Sequence, residues 1–346
     1  MDVVETLPTV IGTAAIAPAL LMLWLVIAAQ ERPGPPTQIW GAFLLSALSV
    51  LLLGVIRIPF SLILDAPVPP PVVPALHAVF GAAFPEELLK VVVILLVCTR
   101  RQAFEDPMDR VVLGAAVGLG FAAYENLAYL VQYAEIWRSV AAVRGVLTVP
   151  FHGALGVIAG AYLTIATSGT ALGAHRFGRR RARFWHGALM LLVPVALHAA
   201  FDYPLLSLRQ FPDIDDAHRI WLGAASLAIG AGAMLFAAYL VLRVARHHAP
   251  RTEIGRERLG RLRRMWALLV AGGGAGLAGL AFLLTALRQW FAHPDYDVAL
   301  LLMPIGLASV LLGILLLGFT LGVYFFGRSR IRAHAPRSAR ALRHRP

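Results

Sequence analysis

Two adjacent glutamates and two histidines stand in stretches of the sequence that are otherwise almost wholly apolar. Glu86 and Glu87 are followed by Lys90, and His152 and His198 lie in later apolar stretches. A glutamate can take a proton from water as a general base, and a histidine can assist that step or bind a metal ion. A charge at the middle of a membrane costs at least ~2.5 kcal/mol, so ionisable residues there are candidates for function.

Lys90 is the only lysine in a chain with 31 basic residues. It follows Glu86 by four positions and Glu87 by three, so in a helix it can neutralise either carboxylate. A purely structural ion pair is the alternative to a functional one. Pro85 precedes the two glutamates and removes one backbone hydrogen bond, so we expect the helix to widen at this point.

Two further pairs of polar residues lie within apolar stretches. Glu125 and Asn126 offer a carboxylate and an amide, which either belong to a site or join helices by hydrogen bonds. His198 and Asp202 are one helical turn apart and share a face, so the carboxylate can hold the imidazole in one tautomer. His77 is a third histidine within an apolar stretch.

The elements that carry these residues are predicted to be transmembrane helices. Of 346 residues, 59% are hydrophobic and 14% are charged, against about a quarter charged in soluble domains. About 20 helical residues cross a hydrocarbon layer of about 30 Å, and the apolar blocks predict nine such spans in an all-α, polytopic membrane bundle. The predicted spans are Leu7–Ala29, Ile39–Leu64, Val72–Cys98, Val111–Val131, Val146–Ala166, Phe184–Leu206, Ile220–Leu242, Met265–Leu287 and Val298–Phe326.

The basic residues predict the orientation of the chain. Arginines follow the third, fifth, seventh and ninth predicted spans. The opposite loops carry Asp65, then Glu135 with Arg138 and Arg144, then Asp213, Asp215 and Asp216, then Asp295 and Asp297. Because basic loops stay in the cytoplasm, this places the N-terminus outside and the C-terminus inside. Most of the basic residues behind the net charge of +12 lie in these short segments. No interleaving of aromatic and basic residues accompanies them, so we expect no nucleic-acid partner. The single cysteine, Cys98, excludes an intrachain disulfide and a four-cysteine zinc site.

Depth along the helices suggests that the polar residues meet. His152 lies roughly 9 Å below the outer end of its span, Glu125 and His198 lie roughly 12 Å below theirs, and Glu86 lies roughly 18 to 21 Å deep. All four residues therefore lie in the outer half of the membrane. We therefore predict that Glu86, Glu125, His152 and His198 converge within about 10 Å of one another, as a site that activates water requires.

These motifs, in this order, resemble those of the PrsW-type intramembrane peptidases, relatives of the type II CAAX prenyl endopeptidases. The resemblance covers roughly residues 74–204. The matching motifs are Glu86-Glu87-x-x-Lys90, Gly120-Phe121 to Glu125-Asn126, Arg144 to Pro150-Phe151-His152-Gly153, and His198-x-x-x-Asp202. It implies that Glu86, Glu87, His152 and His198 are the family's site residues. It further implies cleavage of a membrane-anchored anti-sigma factor near its extracytoplasmic end.

The preferred hypothesis is an intramembrane endopeptidase of the cell membrane that acts on a membrane-anchored protein within the lipid bilayer. Glu86 or Glu87 is the general base, and His198, oriented by Asp202, assists it. His152 and Asn126 stabilise the oxyanion, and Glu125 is a further catalytic candidate. No cofactor is expected, because the sequence has no His-Glu-x-x-His helix. In the alternative version Glu86, Glu87, His152 and His198 bind zinc.

Two other classes of protein remain open. A proton-coupled transporter or channel uses intramembrane carboxylates and histidines as a relay, and a noncatalytic lipid-binding scaffold needs no chemistry at all. The peptidase hypothesis divides the chain into two N-terminal spans (1–66), a peptidase core of four spans (67–206), three C-terminal spans (207–327) and a basic cytoplasmic tail (328–346).

Overall fold

The chain folds into helices wherever its structure is described. A computed structural model describes residues 3–29, 36–98, 106–167 and 176–248, and these ranges contain helices and short turns but no strand. The α-helices, in chain order, are α1 (Val3–Ala29), α2 (Pro36–Ser49), α3 (Leu53–Arg57), α4 (Ser61–Leu64), α5 (Val73–Leu76), α6 (Phe84–Cys98), α7 (Pro107–Gln132), α8 (Trp137–Val143), α9 (Val149–Thr167), α10 (Arg176–Gln210) and α11 (Asp216–His248).

Six helical segments in the described ranges are long and apolar enough to cross a membrane. They are Thr9–Ile27, Pro36–Leu64, Pro107–Gln132, Val140–Thr167, Arg183–Gln210 and Asp216–Val244. These segments fit the prediction of a helical, multi-pass membrane protein.

The third predicted span, Val72–Cys98, is also helical over most of its length, but it contains Glu86, Glu87 and Lys90 and is less apolar for that reason. The last two predicted spans and the basic tail lie outside the described residues. The count of nine spans and the orientation of the termini therefore stay predictions.

The second span is helical but irregular. Turns of 3-10 helix at Val50–Leu52 and Ile58–Phe60 separate α2, α3 and α4. Pro59 stands in the second of these turns, where its missing N–H prevents a regular α-helical bond. Arg57 is the last residue of α3 and immediately precedes this turn. The break therefore falls at the one arginine of this span.

Two wide turns of π-helix precede the segments that carry candidate site residues. One spans His77–Ala83 before α6, and the other spans Arg144–Thr148 before α9. In both, the residue after the wide turn donates its N–H to the carbonyl five positions earlier. A proline follows two residues after each wide turn, Pro85 in α6 and Pro150 in α9. The widening expected before Pro85 is present, and π-helical turns are frequent at functional sites.

Glycines bring α7 and α9 into backbone contact. A Cβ atom at Gly114 would collide with the carbonyl of Gly156, and one at Gly118 would collide with the carbonyl of His152. Gly160 is similarly close to the backbone of α7. Small residues at four-residue spacing allow this approach in membrane helices. The contact fixes the spacing of two helices that each carry a candidate site residue.

Candidate functional site

The candidate residues of three helices meet in the interior of the protein. Glu86 and Glu87 come from α6, His152 from α9 and His198 from α10, and their exposed fractions are 4%, 1%, 1% and 3%. The two imidazole rings lie edge to face with their centroids 5.1 Å apart. The structure thus brings these residues together. His77 is instead exposed on the wide turn before α6.

Glu87 and Lys90 form the central ion pair of this site. The Lys90 Nζ atom donates to Glu87 Oε1 at 2.6 Å, and it also lies 2.8 Å from His152 Nδ1. The same Glu87 oxygen lies 2.7 Å from His198 Nδ1. The ammonium group sits over the ring of Phe121, 4.3 Å from its centroid. Lys90 therefore neutralises a glutamate as the sequence predicted, and its partner is Glu87, not Glu86.

Glu86 has a different environment from its neighbour. Its Oε1 atom accepts a hydrogen bond from Arg57 Nη2 at 3.2 Å. Its Oε2 atom is buried, has no hydrogen-bond partner among the described residues and lies 3.9 Å from His198 Nε2. Arg57 was not among the predicted site residues, although an arginine inside a predicted span is a sufficient signal. One oxygen of Glu86 is thus left to face the second histidine.

Glu125 joins the site through His152. The Glu125 Oε2 atom lies 2.8 Å from His152 Nε2 and 3.0 Å from Arg144 Nη2. Arg144 also donates from Nε to the Asn126 side-chain oxygen at 2.8 Å, and the Asn126 amide donates to the Ala15 carbonyl of α1 at 3.4 Å. Glu125 therefore contacts a candidate catalytic group directly, whereas the hydrogen bonds of Asn126 go to Arg144 and α1. Arg144 belongs to one of the matching sequence motifs, but no role was predicted for it.

His198 has a carboxylate near each ring nitrogen. Its Nδ1 atom faces Glu87, and its Nε2 atom lies 3.3 Å from Asp202 Oδ2, one helical turn further along α10. Asp202 is partly exposed, with 22% of its side chain accessible. Phe151 stands edge-on to His198 at 5.8 Å and stacks on Phe201 at 4.3 Å. These contacts restrict the imidazole to one orientation.

Three of these residues have a donor set that fits a divalent metal ion. Glu86, His152 and His198 can each direct one ligand atom to a common region, and these atoms lie within 4.8 Å of one another. Zinc binds carboxylate oxygen and imidazole nitrogen at about 2.0 to 2.2 Å. The unpartnered Oε2 of Glu86 is the buried atom that a metal would satisfy. When Glu87 holds the Nδ1–H of His198, the Nε2 lone pair is free, as in the carboxylate–histidine pairs of metal sites.

His152 can bind a metal ion only if its Nε2 atom gives up the contact with Glu125. Lys90 donates toward its Nδ1 atom, which leaves Nε2 as the nitrogen for an ion. That Nε2 atom already lies 2.8 Å from Glu125. An ion at this position would replace the proton that His152 shares with Glu125.

Comparison with known proteins places the chain in a family. The model of the PrsW family intramembrane metalloproteases matches residues 34–238, which include every candidate site residue. No solved structure matches the chain significantly.

The curated relatives carry the same name. The chain is 35% identical to Protease PrsW of Bacillus subtilis over 131 residues, 38% of this chain and 55% of that protein. It is 32% identical to Protease PrsW of Geobacillus kaustophilus over 138 residues, 40% of this chain and 56% of that protein. A third Protease PrsW, from Oceanobacillus iheyensis, is 28% identical over 199 residues, 58% of this chain and 84% of that protein. The chain spans about half the length of the first two relatives. Because the family model covers more than half of the sequence, the chain belongs to the PrsW family of intramembrane metalloproteases.

Proposed function

We propose that this protein is an intramembrane endopeptidase that hydrolyses a peptide bond of a membrane-anchored protein. The observation that carries the proposal is the buried group of Glu86, Glu87, His152 and His198, in which one carboxylate oxygen is unpartnered beside two imidazoles. Membership of the PrsW family supports it. The proton-relay hypothesis finds no comparable support among the relatives.

The two glutamates have separate roles in this proposal. Glu87 Oε1 is engaged by Lys90 and His198, so Glu87 holds the site together. Glu86 presents the unpartnered Oε2 and accepts the proton of the attacking water. The water oxygen bonds to the scissile carbonyl carbon, the C–N bond breaks, and the proton on Glu86 passes to the leaving amine. Glu86 is therefore the general base in the metal-free form.

The histidines face the reacting carbonyl from two sides. In the metal-free form His198, oriented by Glu87 and Asp202, carries a proton on both ring nitrogens and stabilises negative charge on the carbonyl oxygen from Nε2. His152, which is held between Lys90 and Glu125, supplies a second polar group from α9. Buried donors of this kind are effective because they are already oriented before the charge develops.

The family description and the donor set favour the metal form over the metal-free form that the sequence suggested. Glu86, His152 and His198 would hold a divalent ion, with zinc as the first candidate. When bound, such an ion supplies a nucleophilic hydroxide at neutral pH and polarises the carbonyl. The chain's own contribution is then to orient these ligands through Glu87, Lys90 and Glu125.

The substrate proposed is a single-pass protein of the cell membrane, cleaved near its extracytoplasmic end. An anti-sigma factor is the substrate that the family resemblance suggests. The depth of the site residues, all in the same half of their predicted spans, supports cleavage near one membrane surface.

The test uses the full-length protein, purified and reconstituted in lipid vesicles, with a panel of single-pass peptides. Parental protein should cleave at least one of them, and Glu86→Gln and His198→Ala should not, while Glu86→Gln keeps a melting temperature close to that of the parent. Cleavage by folded Glu86→Gln at the parental rate would refute the proposed function.

A chelator, with zinc added back, separates the two forms of the mechanism. Loss of cleavage that zinc restores supports the metal form, whereas cleavage that is unaffected supports Glu86 acting on water alone.

A further inference from the structure

Arg57 is an arginine inside a membrane-spanning segment, and its position needs an explanation. It lies seven residues before Leu64, or about 10 Å from that end of the Pro36–Leu64 segment. Its side chain is 39% exposed, whereas the Glu86 side chain that it contacts is 5% exposed. An arginine at this depth is costly unless it has a partner, and such residues are usually functional.

The contact that Arg57 makes determines which oxygen of Glu86 is left free. Arg57 Nη2 holds Glu86 Oε1 at 3.2 Å. The other oxygen, Oε2, consequently remains without a hydrogen-bond partner, and it lies 3.9 Å from His198 Nε2. Without Arg57, the carboxylate would lose the contact that fixes Oε1, and the plane of the carboxylate could turn so that neither oxygen points at His198.

Aromatic packing holds Arg57 at this position. Phe60 follows it by three residues across the 3-10 turn, where residues three apart lie on one face. The Phe60 ring stacks on Phe80 at 5.8 Å and lies edge to face with Phe84 at 5.6 Å. Phe80 belongs to the wide turn and Phe84 begins α6. The same packing thus fastens the broken second span to the helix that carries Glu86.

We propose that Arg57 is a positioning residue for Glu86, which it orients so that Oε2 faces the two histidines. This inference rests on the proposed function, because it assigns Arg57 a role in the same site. The role is equally required whether Oε2 binds a metal ion or takes a proton from water. Partners that orient a ligand or a base in this way typically change activity or metal affinity by about 10- to 100-fold when removed.

The test compares Arg57→Met, Arg57→Lys and a control, Arg138→Met. Arg138 is exposed and lies over the Trp137 ring. We expect Arg57→Met to lower kcat by about 10- to 100-fold with an unchanged KM and a melting temperature close to that of the parent. Arg57→Lys should recover part of the loss because it restores a cation, and Arg138→Met should behave like the parent.

A second measurement does not depend on activity. Zinc affinity, determined by competition with a coloured chelator on purified protein, should fall in Arg57→Met and in Glu86→Gln. The double variant should bind zinc no more weakly than Glu86→Gln alone, because Arg57 acts through Glu86.

Three results would overturn the proposal for Arg57. The first is a parental kcat in Arg57→Met while Glu86→Gln is inactive, which leaves the proposed function intact. The second is a change in KM alone, which would make Arg57 a substrate contact. The third is a loss in Arg57→Met that follows its melting temperature and is not recovered by Arg57→Lys, which would make it a structural anchor. Cleavage by folded Glu86→Gln would instead refute the proposed function itself.

Discussion

Replacing Glu87 by glutamine should mainly reduce stability, whereas replacing Glu86 by glutamine should mainly reduce activity. Glu87 shares one oxygen between Lys90 at 2.6 Å and His198 at 2.7 Å. Glu87→Gln leaves Lys90 as a buried cation without its counter-ion, and breaking a buried pair in this way costs about 3 to 5 kcal/mol. We therefore expect Glu87→Gln to lower the melting temperature by several degrees, with activity reduced as a consequence.

Glu86→Gln should affect stability much less. Its ionic partner is Arg57, which is 39% exposed and lies 3.2 Å away, whereas Glu87 shares one oxygen between the fully buried Lys90 and His198. Glutamine keeps the shape of the side chain and can still accept from Arg57, but it cannot act as a base. We expect kcat to fall by about 10² to 10⁴ with little change in the melting temperature.

The assay measures both quantities on the same preparations. Cleavage of a fluorescent single-pass peptide in vesicles gives kcat, and thermal unfolding in detergent gives the melting temperature. A Glu87→Gln protein as stable as the parent, or a Glu86→Gln protein that loses stability and activity together, would show that the roles of the two glutamates have been assigned the wrong way round.

Four more predictions can be tested on the same protein. Gly118→Ala should lower the melting temperature because a Cβ there collides with a carbonyl of α9. Gly187→Ala should not, since within the described part of the chain its Cβ would meet no atom within 4 Å. Asp202→Asn should reduce kcat less than His198→Ala, and equal losses would give Asp202 a direct role. A chelator should abolish cleavage and zinc should restore it; full activity in the chelator would exclude the metal form. Cysteines introduced at residues 207–219 should be labelled from outside intact cells, and cysteines introduced at residues 168–183 should not, because basic loops are retained inside. The reverse pattern would contradict the predicted orientation.

The sequence predicted the helices and the residue pairs within one helix better than the contacts between helices. The apolar blocks located the described spans, since hydrocarbon thickness alone sets their length. Local spacing also predicted that Lys90 neutralises a glutamate and that His198 and Asp202 share a face, because neighbours on one helix follow from its geometry. Both pairs are in contact in the structure.

Contacts between helices distant in sequence were harder to predict. Nothing local indicated that Arg57 reaches Glu86 or that Arg144 reaches Glu125. Arg144 lies two residues before the predicted start of the fifth span, so it was treated as part of a loop. Asn126 was expected among the catalytic groups, but its hydrogen bonds to Arg144 and α1 depend on how three helices pack, which residue spacing does not determine.

The two wide turns also set the angular register of the site. A π-helical turn accommodates about one residue more than an α-helical turn, and each residue of an α-helix advances by about 100°. Deleting one residue from His77–Ala83 would let the backbone return to regular winding. Glu86 and Glu87 would then rotate by about 100° relative to the residues before the deletion. The aromatic contacts of Phe60 and the partners of the glutamates could no longer be satisfied together, so chain length in this segment is constrained more tightly than side-chain identity.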